Sequence, residues 1–343
     1  MTKRASDNLW ITRKYLLWLG DARGLCAATI DQAAASIATF VQYLGGKDFR
    51  AFNSEVARGF KRYLEKPRPG MADKSRAKTT VNGILRDISA FLNWLADQVG
   101  YRSKILRSDI AYLAPDRKSE NARRGTLSKP HPSAECVRRV ILGMPAGTLR
   151  ERRDRVFVAF LFLTGARESA AISLRLHHLD LAENCVNFDG RSVDTKFGKT
   201  FVTAFFPVGE EVEEIIRVWV TELRTEQMFS GADPLFPKTR VGLGPDRQFQ
   251  TLSIAREPWS SPSAAAKIFK GAFADAGHPP YPPHRVRDTL VDFGKRLCRT
   301  PEEFKAWSQN MGHEDVMTTF TSHGTVPTGG QVELMSLFRR KTS

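Results

Sequence analysis

The fold of this chain is best predicted from the stretch Val156-Phe157-Val158-Ala159-Phe160-Leu161-Phe162-Leu163-Thr164-Gly165-Ala166-Arg167. Its first eight residues are all apolar and predict an apolar helix. Gly165 is typical of the residue at which such a helix breaks. The pattern therefore predicts a helix that stops abruptly and is followed at once by an arginine, Arg167.

The apolar periodicity changes further along the chain, between residues 185 and 207. Val186 and Phe188 predict one short strand. Residues 191–195 and 200–206 flank the sequence Lys196-Phe197-Gly198-Lys199. Together they predict a β-hairpin whose turn carries two lysines.

Four acidic residues open the next predicted helix: Glu210, Glu211, Glu213 and Glu214. Carboxylates in a first turn complement the helix dipole, so we assign these residues to structure rather than to catalysis. Beyond this helix, residues 242–262 have the composition of loops.

Apolar residues recur at helical spacing in four segments of the N-terminal part of the chain. These predicted helices cover residues 9–19, 29–44, 56–64 and 81–95, with Thr29 expected as an N-cap. Their stripes predict a small helical bundle over residues 1–114. A second domain is expected over residues 133–343. The expected fold class is therefore mainly α, with a small β-hairpin or sheet in the second domain.

Residues 115–132 are polar, basic and without period, which predicts a linker between the two domains. Its basic side chains are those of Arg117, Lys118, Arg123 and Arg124. A second basic segment joins two predicted helices and contains Arg68, Lys74, Arg76 and Lys78. Such segments are either solvated loops or contacts to phosphates. A basic strap between two basic domains suits a clamp that closes around a DNA duplex.

The formal net charge is +15 at pH 7, with a sequence pI near 9.9. A surplus of this size favours a polyanionic partner, because each neutralised phosphate releases counterions. Charge alone does not separate DNA, RNA and anionic lipid, or exclude a basic protein that merely stays soluble. No apolar run is long enough to span a membrane, and the first residues lack the apolar core of a signal peptide. The four cysteines lie far apart and predict reduced thiols rather than disulfides or a zinc site.

Two further motifs contain residue types that suit phosphodiester chemistry. In His284-Arg285-Val286-Arg287, the preceding Pro282 and Pro283 predict a helix start that places His284 and Arg287 on one face. Gly312-His313 follows later in the chain. Arginine forks can hold non-bridging phosphate oxygens, and an acid must protonate the leaving alkoxide. No paired carboxylates or His/Asp set predicts a metal, and no cofactor is expected.

In this order the motifs resemble those of the tyrosine recombinases, the phage-integrase family of site-specific DNA recombinases. Leu163-Thr164-Gly165-Ala166-Arg167 resembles the first-arginine box, and Thr195-Lys196-Phe197-Gly198-Lys199 the lysine hairpin. His284-Arg285-Val286-Arg287 and Met311-Gly312-His313 resemble the remaining two boxes, and the N-terminal helices resemble the core-binding domain. The resemblance implies that Arg167 and Arg287 clamp the scissile phosphate and that His284 and His313 assist. Lys196, or as the second choice Lys199, would be the general acid.

Two positions depart from the family pattern. Ala170 stands where an acidic residue is usual, and His323 stands where the family carries its nucleophilic tyrosine. The resemblance implies a recombinase that breaks and rejoins strands through a 3′-phosphoprotein intermediate, with cleavage impaired by His323. The alternative is an inactive DNA-binding or architectural protein descended from a recombinase. A nonspecific nucleic-acid-binding protein is the third hypothesis.

The implied partner is double-stranded DNA, bound by a homo-oligomer from dimer to tetramer. A hetero-oligomer with a tyrosine-bearing recombinase is the other arrangement. The resemblance further implies a bacterial cytoplasmic protein associated with the nucleoid and with a mobile element. Residues 331–340 have the apolar content of a short helix, which is expected to dock either on a neighbouring protomer or on its own domain.

Overall fold

A computed structural model describes residues 3–67, 75–115, 130–243 and 248–313. The chain divides into two compact units, Met1–Arg124 and Gly125–Ser343, and each has its own hydrophobic core. The predicted linker lies largely outside the described residues, so its bounds stay a prediction. Among the described helices, none combines the length and apolar character that a membrane crossing requires.

The first unit is helical, and its four long helices confirm the four predicted from apolar spacing. The helices are α1 (Lys3–Asp21), α2 (Ala27–Leu44), α3 (Ser54–Glu65), α4 (Lys78–Ala96) and the single turn α5 (Arg107–Ile110). The unit also has two 3-10 turns, Phe49–Ala51 between α2 and α3 and Ala111–Leu113 directly after α5. Helix α2 starts earlier than expected, so Cys26 rather than Thr29 occupies its N-cap position.

Aromatic rings fill the core of this unit. Phe40 is fully buried, and its ring centroid lies 4.8 Å from that of Phe60 in an edge-on contact. Phe49 meets Phe91 in the same way, at 5.1 Å. Edge-to-face contacts at these distances add to the stabilisation from burial alone. The apolar stripes of α2, α3 and α4 therefore serve packing, as the sequence predicts.

The second unit combines helices with two small antiparallel sheets, which confirms the mainly α fold class. Its helices are α6 (Ala134–Gly143), α7 (Leu149–Thr164), α8 (Glu168–Ser173), α9 (Glu210–Thr225), α10 (Pro262–Asp275), α11 (Arg285–Leu297) and α12 (Pro301–Asn310). Its strands are β1 (Leu179–Asp180), β2 (Cys185–Phe188), β3 (Phe201–Ala204), β4 (Pro237–Leu243) and β5 (Phe249–Pro258). Two 3-10 turns are Leu176–His178 and Lys196–Gly198.

Helix α7 is the centre of this unit, and all of residues 156–164 are buried. It packs against α6, α9, α10 and α11, which explains why it is apolar on every side. A capping box between Thr148 and Glu151 starts the helix. At the other end Gly165 adopts a left-handed conformation, with φ of 61°, and stops it. The predicted helix and its glycine break are both confirmed.

The three-stranded sheet has the order β1-β2-β3, with Val186 opposite Thr203 and Phe188 opposite Phe201. The lysine-bearing turn lies between β2 and β3, so the predicted hairpin is present. The prediction of its first strand is wrong. Residues 191–195 form no strand and belong instead to a long loop, residues 189–200. Tertiary hydrogen bonds hold this segment in the loop, such as that from the Asp194 amide to Ser173 Oγ (2.9 Å).

The prediction of loops over residues 242–262 is also wrong. Strands β4 and β5 pair antiparallel, from Pro237 with Pro258 to Leu243 with Phe249, and helix α10 begins at Pro262. The glycine and proline residues near position 244 favour a loop, but their influence does not extend into β5. Strand β5 itself has β-branched residues, such as Ile254 opposite Thr239, that suit pairing.

Candidate functional site

The left-handed turn at Gly165 determines where Arg167 lies. The Gly165 amide donates to the Leu161 carbonyl (2.9 Å), and the Ala166 amide donates to Thr164 Oγ1 (3.2 Å). Arg167 follows in extended conformation as the N-cap residue of α8. Its side chain is half-buried, and burial lowers the pKa of its guanidinium. Among the described residues, no carboxylate lies within ion-pairing distance of Arg167.

Arg287 lies in the first turn of α11 and is almost completely buried, with 3% of its surface exposed. Its Nη1 donates to the Gly165 carbonyl, and its Nη2 donates to the Met311 carbonyl (2.7 Å). Burial, together with the nearby charge of Arg167, lowers the pKa of Arg287 to about 9, and Asp288 opposes this change. The guanidinium therefore remains charged at neutral pH.

His313 is the third predicted residue at this place. Its Nε2 lies 2.8 Å from Nη2 of Arg287, and because a guanidinium only donates, Nε2 is the acceptor. Gly312, with φ of 72°, turns the chain so that His313 returns over the end of α12, where its amide donates to the Ser308 carbonyl (3.2 Å). His313 thus contacts Arg287 directly and helps to hold its guanidinium in place.

The loop of residues 189–200 carries Lys196 at the start of a 3-10 turn. Phe197 beside it is 81% exposed and has φ of 64°, a left-handed conformation that is costly for a bulky side chain. The Lys196 Nζ lies 5.0 Å from the centre of the Phe197 ring. Thr195 Oγ1 donates to the Lys199 carbonyl (2.7 Å), which closes the turn. The strained turn is therefore held by defined hydrogen bonds.

Helix α8 anchors this loop from outside. Ser169 Oγ donates to the Asp194 carbonyl (3.3 Å), and the Asp194 amide donates to Ser173 Oγ (2.9 Å). Because Arg167 is the N-cap residue of the same helix, the positions of Arg167 and Lys196 are coupled through α8. Nothing in the local sequence pattern of the two serines indicates this role.

Arg167, Lys196 and Arg287 line one small cavity, which we call the cationic cavity. The other lining residues are Thr164, Gly165, Ala166, Ala170, Phe188, Thr195, Phe201, Thr203 and Met311. No lining residue is acidic. Ala170, where the family pattern has an acid, is buried in the wall. Arg287 is buried, Arg167 is half-buried and Lys196 is exposed. Cations gathered without a carboxylate form a site for an anion.

The structure places the other predicted catalytic residues differently. His284 is the exposed N-cap residue of α11, one turn before Arg287, and is not among the residues that line the cationic cavity. His323 lies outside the described residues. Within the described ranges, no group of three or more His, Cys, Asp or Glu side chains could hold a metal ion.

Few of the predicted DNA-binding residues can be placed. Arg76 donates to the Leu64 carbonyl (3.4 Å) and lies over the Tyr63 ring, and Lys78 is the exposed first residue of α4. Lys199 is half-buried in the loop of residues 189–200. The remaining predicted residues, Arg68, Lys74, Arg117, Lys118, Arg123 and Arg124, lie outside the described part of the chain.

Sequence reasoning missed Asn310, which joins α12 to the sheet. The Asn310 side chain accepts from the Ala204 amide (2.7 Å) and donates to the Ala204 carbonyl (2.8 Å). Thr203 Oγ1 also donates to the Asn310 carbonyl (2.9 Å). These contacts fix the residues that follow, Met311 and His313, beside Arg287. The partners are more than 100 positions apart in the sequence, so no local pattern could reveal them.

Gly190 offers a test of how tightly the Lys196 loop is closed. A Cβ atom at Gly190 would collide with the Gly198 carbonyl and lie 3.0 Å from the Lys199 backbone. We expect Gly190→Ala to open the loop and to cost about 1–3 kcal/mol in the free energy of unfolding. Hydrogen exchange of residues 189–200 and denaturant unfolding measure both effects.

Gly271→Ala in α10 is the matched control, because a Cβ atom there meets no other atom within 4 Å. A helical glycine without crowding should gain about 0.5–1 kcal/mol when replaced by alanine. If the two variants had the same stability and the same exchange rates, the loop would tolerate a wider separation of residues 190 and 198 than the structure indicates.

The fold resembles several solved structures. XerH site-specific recombinase bound to a palindromic difH substrate matches with a TM-score of 0.65 and 13% identity, covering 98% of this chain and 85% of that one. The lambda integrase dimer bound to a COC′ core site matches with a TM-score of 0.64 and 12% identity, covering 93% of this chain and 95% of that one. The Tn1549 transposon integrase in complex with transposon right-end DNA matches with a TM-score of 0.61 and 15% identity, covering 96% of this chain and 98% of that one. At these identities the similarity is one of fold.

A comparison with curated proteins gave no match. The profile of the Phage integrase family, in contrast, matches residues 141–322. The matched range contains the whole cationic cavity together with His284 and His313, and it ends one position before His323. Because the profile covers more than half of the sequence, the chain belongs to the phage integrase family.

Proposed function

We propose that this protein binds double-stranded DNA and acts in site-specific recombination, with the cationic cavity holding one backbone phosphate. The observation that carries the proposal is the pair formed by Arg167 and Arg287. The two guanidinium groups are withdrawn from water and close enough for the charge of one to lower the pKa of the other. No acidic residue lines their cavity. A bound phosphodiester would offset this unfavourable arrangement.

The hydrogen bonds of Arg287 support this role. A guanidinium has five N–H groups. Three are used for the Gly165 carbonyl, the Met311 carbonyl and His313. We propose that the other two serve the non-bridging oxygens of a phosphate. The protein contacts fix the plane of the guanidinium before the ligand arrives, so little ordering is needed on binding.

Lys196 would act as general acid. As a nucleophile attacks phosphorus, the bond from phosphorus to the 5′-oxygen breaks, and the leaving oxygen takes a proton from Lys196 Nζ. Rejoining reverses these steps: the 5′-hydroxyl returns its proton and displaces the protein from phosphorus. Arg167 and Arg287 would stabilise the charge that spreads over the phosphate oxygens in both directions. His284 and His313 would assist proton transfer and phosphate contact.

The nucleophile distinguishes two versions of this function. His323 would occupy the nucleophile position, and an imidazole nitrogen reaches less far from the backbone than a phenolic oxygen, by roughly 2 Å. We therefore propose that cleavage is impaired in the chain as it stands. A neighbouring protomer of a tyrosine-bearing recombinase could supply the missing group. His323 also favours the alternative, a catalytically inactive DNA-binding protein that occupies sites without cutting them.

The related structures support an assembly on DNA. The XerH and Tn1549 structures contain DNA substrates, and the lambda integrase structure is a dimer bound to its site. By analogy, we propose that this chain binds DNA as an oligomer, from dimer to tetramer.

Duplex binding as a function of salt tests the interaction with phosphate. After binding-site selection from random duplexes, we expect Arg167→Ala to reduce the slope of log K against log salt by about 0.9 for each phosphate that the variant no longer neutralises. His323→Ala should leave the affinity nearly unchanged, because that position is proposed to act in the chemical step rather than in binding.

Arg150→Ala is the control. Arg150 lies at the opposite end of α7 from Gly165, about 20 Å away at the helical rise of 1.5 Å per residue. The same slope for Arg167→Ala and the wild type would remove Arg167 from the proposed site. Equal binding of selected and unrelated duplexes at physiological salt would point to a nonspecific nucleic-acid-binding protein.

A further inference from the structure

His178 is a buried histidine outside the family motifs. It ends the 3-10 turn Leu176–His178, directly before β1, and only 4% of its surface is exposed. Both ring nitrogens are hydrogen-bonded: Nδ1 to the Arg175 amide and Nε2 to Ser192 Oγ, each at 2.9 Å. Ser192 belongs to the loop of residues 189–200, which carries Lys196. His178 therefore links the start of the sheet to the lysine loop.

The partners of His178 determine which nitrogen carries the proton. A backbone amide only donates, so Nδ1 must accept and has no proton. Nε2 then carries the proton and donates to Ser192 Oγ. The Ser192 hydroxyl in turn donates to the Asp189 carbonyl (3.4 Å). The chain of hydrogen bonds is complete for one neutral tautomer of His178.

Protonation would break this chain at Nδ1. A proton there would face the Arg175 N–H, so two donors would oppose each other. The neighbouring His177 differs, because its Nδ1 lies 2.8 Å from the Gly231 carbonyl, to which it donates. A protonated His177 keeps that bond, and a protonated His178 loses its bond to Arg175.

We propose that His178 is a positioning residue for Lys196, and that it holds the lysine loop only as a neutral imidazole. The loop is then closed at neutral and higher pH and loosens in mild acid. The role in holding the loop stands independently of DNA, whereas its effect on recombination chemistry rests on the proposed function of Lys196.

The surroundings of His178 also favour its neutral form. Burial first, and then the charge of His177, lower the pKa of His178, and the Arg175 charge adds a smaller effect in the same sense. The hydrogen bond with the Arg175 backbone acts in the opposite sense but does not reverse the shift. On the facing loop, the Asp189 carboxylate also opposes the shift, but it is paired with Arg191 (2.7 Å). That hydrogen bond lowers the pKa of Asp189 to about 2, so Asp189 stays ionised throughout the relevant range.

The sign of the pH dependence follows from these shifts. The pKa of His178 in the closed loop lies below the ordinary value of about 6.5, so the open form binds more protons. Closure is fully stable above about pH 6.5 and is lost progressively as the pH falls below that value. The opening equilibrium constant should rise by up to about tenfold for each pH unit.

Hydrogen exchange between pH 5 and 8, corrected for intrinsic exchange rates, tests the proposal on the whole chain. We expect protection of residues 189–200 to fall below about pH 6.5, while residues 156–164 in α7 stay protected as an internal reference. His178→Asn retains an acceptor for the Arg175 amide but does not titrate, so its profile should be flat. Ser192→Ala should loosen the loop at pH 8, and because Ser192 is exposed it should not disturb the hydrophobic core.

His177→Gln is the matched control: its loop should still open in acid, with a pH dependence weakened only by the loss of the His177 charge. A flat wild-type profile would overturn the proposal, and so would loss of the pH dependence in His177→Gln or its retention in His178→Asn. Selective labelling of histidine gives a second readout, because His178 should show the Nε2–H tautomer at pH 8. Any other tautomer would contradict the hydrogen-bond assignment.

DNA chemistry separates this proposal from the proposed function. If the loop opens in acid as expected but the chemical step at Lys196 shows no matching loss, the positioning of the loop stands and the catalytic role of Lys196 fails. If the loop does not respond to pH, the positioning proposal fails, whatever the DNA results.

Discussion

The His323→Tyr variant is expected to form a covalent adduct with nicked duplex DNA, at a rate at least about a hundredfold above that of the wild-type chain. The cationic cavity already has its two arginines, its lysine and a supporting histidine in place. Under the proposed function, what the chain lacks is a nucleophile of sufficient reach. A phenolic oxygen at position 323 would supply it and would form a phosphotyrosine bond while the 5′-oxygen leaves.

A denaturing gel with end-labelled DNA from the ends of the host element measures the adduct. His323→Phe is the control, because it has the ring but no nucleophilic oxygen. An adduct of similar yield with the wild-type chain would show that His323 or another residue of the chain attacks, and mapping of the labelled peptide would identify it. The absence of an adduct in every variant on a selected binding site would mean that the site has lost more than its tyrosine.

Replacing Arg287 with methionine in the His323→Tyr background should reduce adduct formation by about 10³-fold or more, as expected for an arginine that stabilises a phosphoryl transition state. The salt slope of DNA binding should also fall, by about 0.9. The free energy of unfolding should change little in comparison. The buried charge of Arg287 is unfavourable in the free protein, and its removal offsets the loss of bonds to the Gly165 and Met311 carbonyls.

Arg287→Lys separates charge from geometry. A lysine keeps the positive charge but cannot hold two carbonyls and a phosphate in one plane, so it should recover part of the salt slope and little of the rate. The proposed role of Arg287 would be refuted if Arg287→Met unfolded the protein readily yet left the salt slope and adduct rate of its folded fraction unchanged.

Short-range patterns are sufficient to predict much of the fold and part of the site. The apolar run before Gly165 and the proline pair before His284 each determine a helix terminus within a few residues, and the structure confirms both. These termini place Arg167 and Arg287. The position of Lys196 in a turn is also predictable, because apolar residues mark the strands on either side.

The rest depends on contacts between distant parts of the chain. The prediction of a strand at residues 191–195 fails because Ser173 and His178 hold that segment in a loop. The Gly165 carbonyl accepts a hydrogen bond from Arg287, 122 positions away. No sequence motif predicts that a backbone oxygen orients this guanidinium. Sequence patterns thus indicate which residue types are suited to bind phosphate, while the groups that orient these residues are found only in the three-dimensional structure.

The contact of Asn310 with Ala204 has a further consequence for how copies of this protein can associate. An open strand edge presents unpaired amides and carbonyls and can recruit a strand from another molecule. At β3, however, the side-chain amide of Asn310 already occupies both polar groups of Ala204, as a neighbouring strand would. The other outer strand, β1, is only two residues long. The β3 edge is therefore closed to strand addition at Ala204, and copies of this protein that associate would use other surfaces.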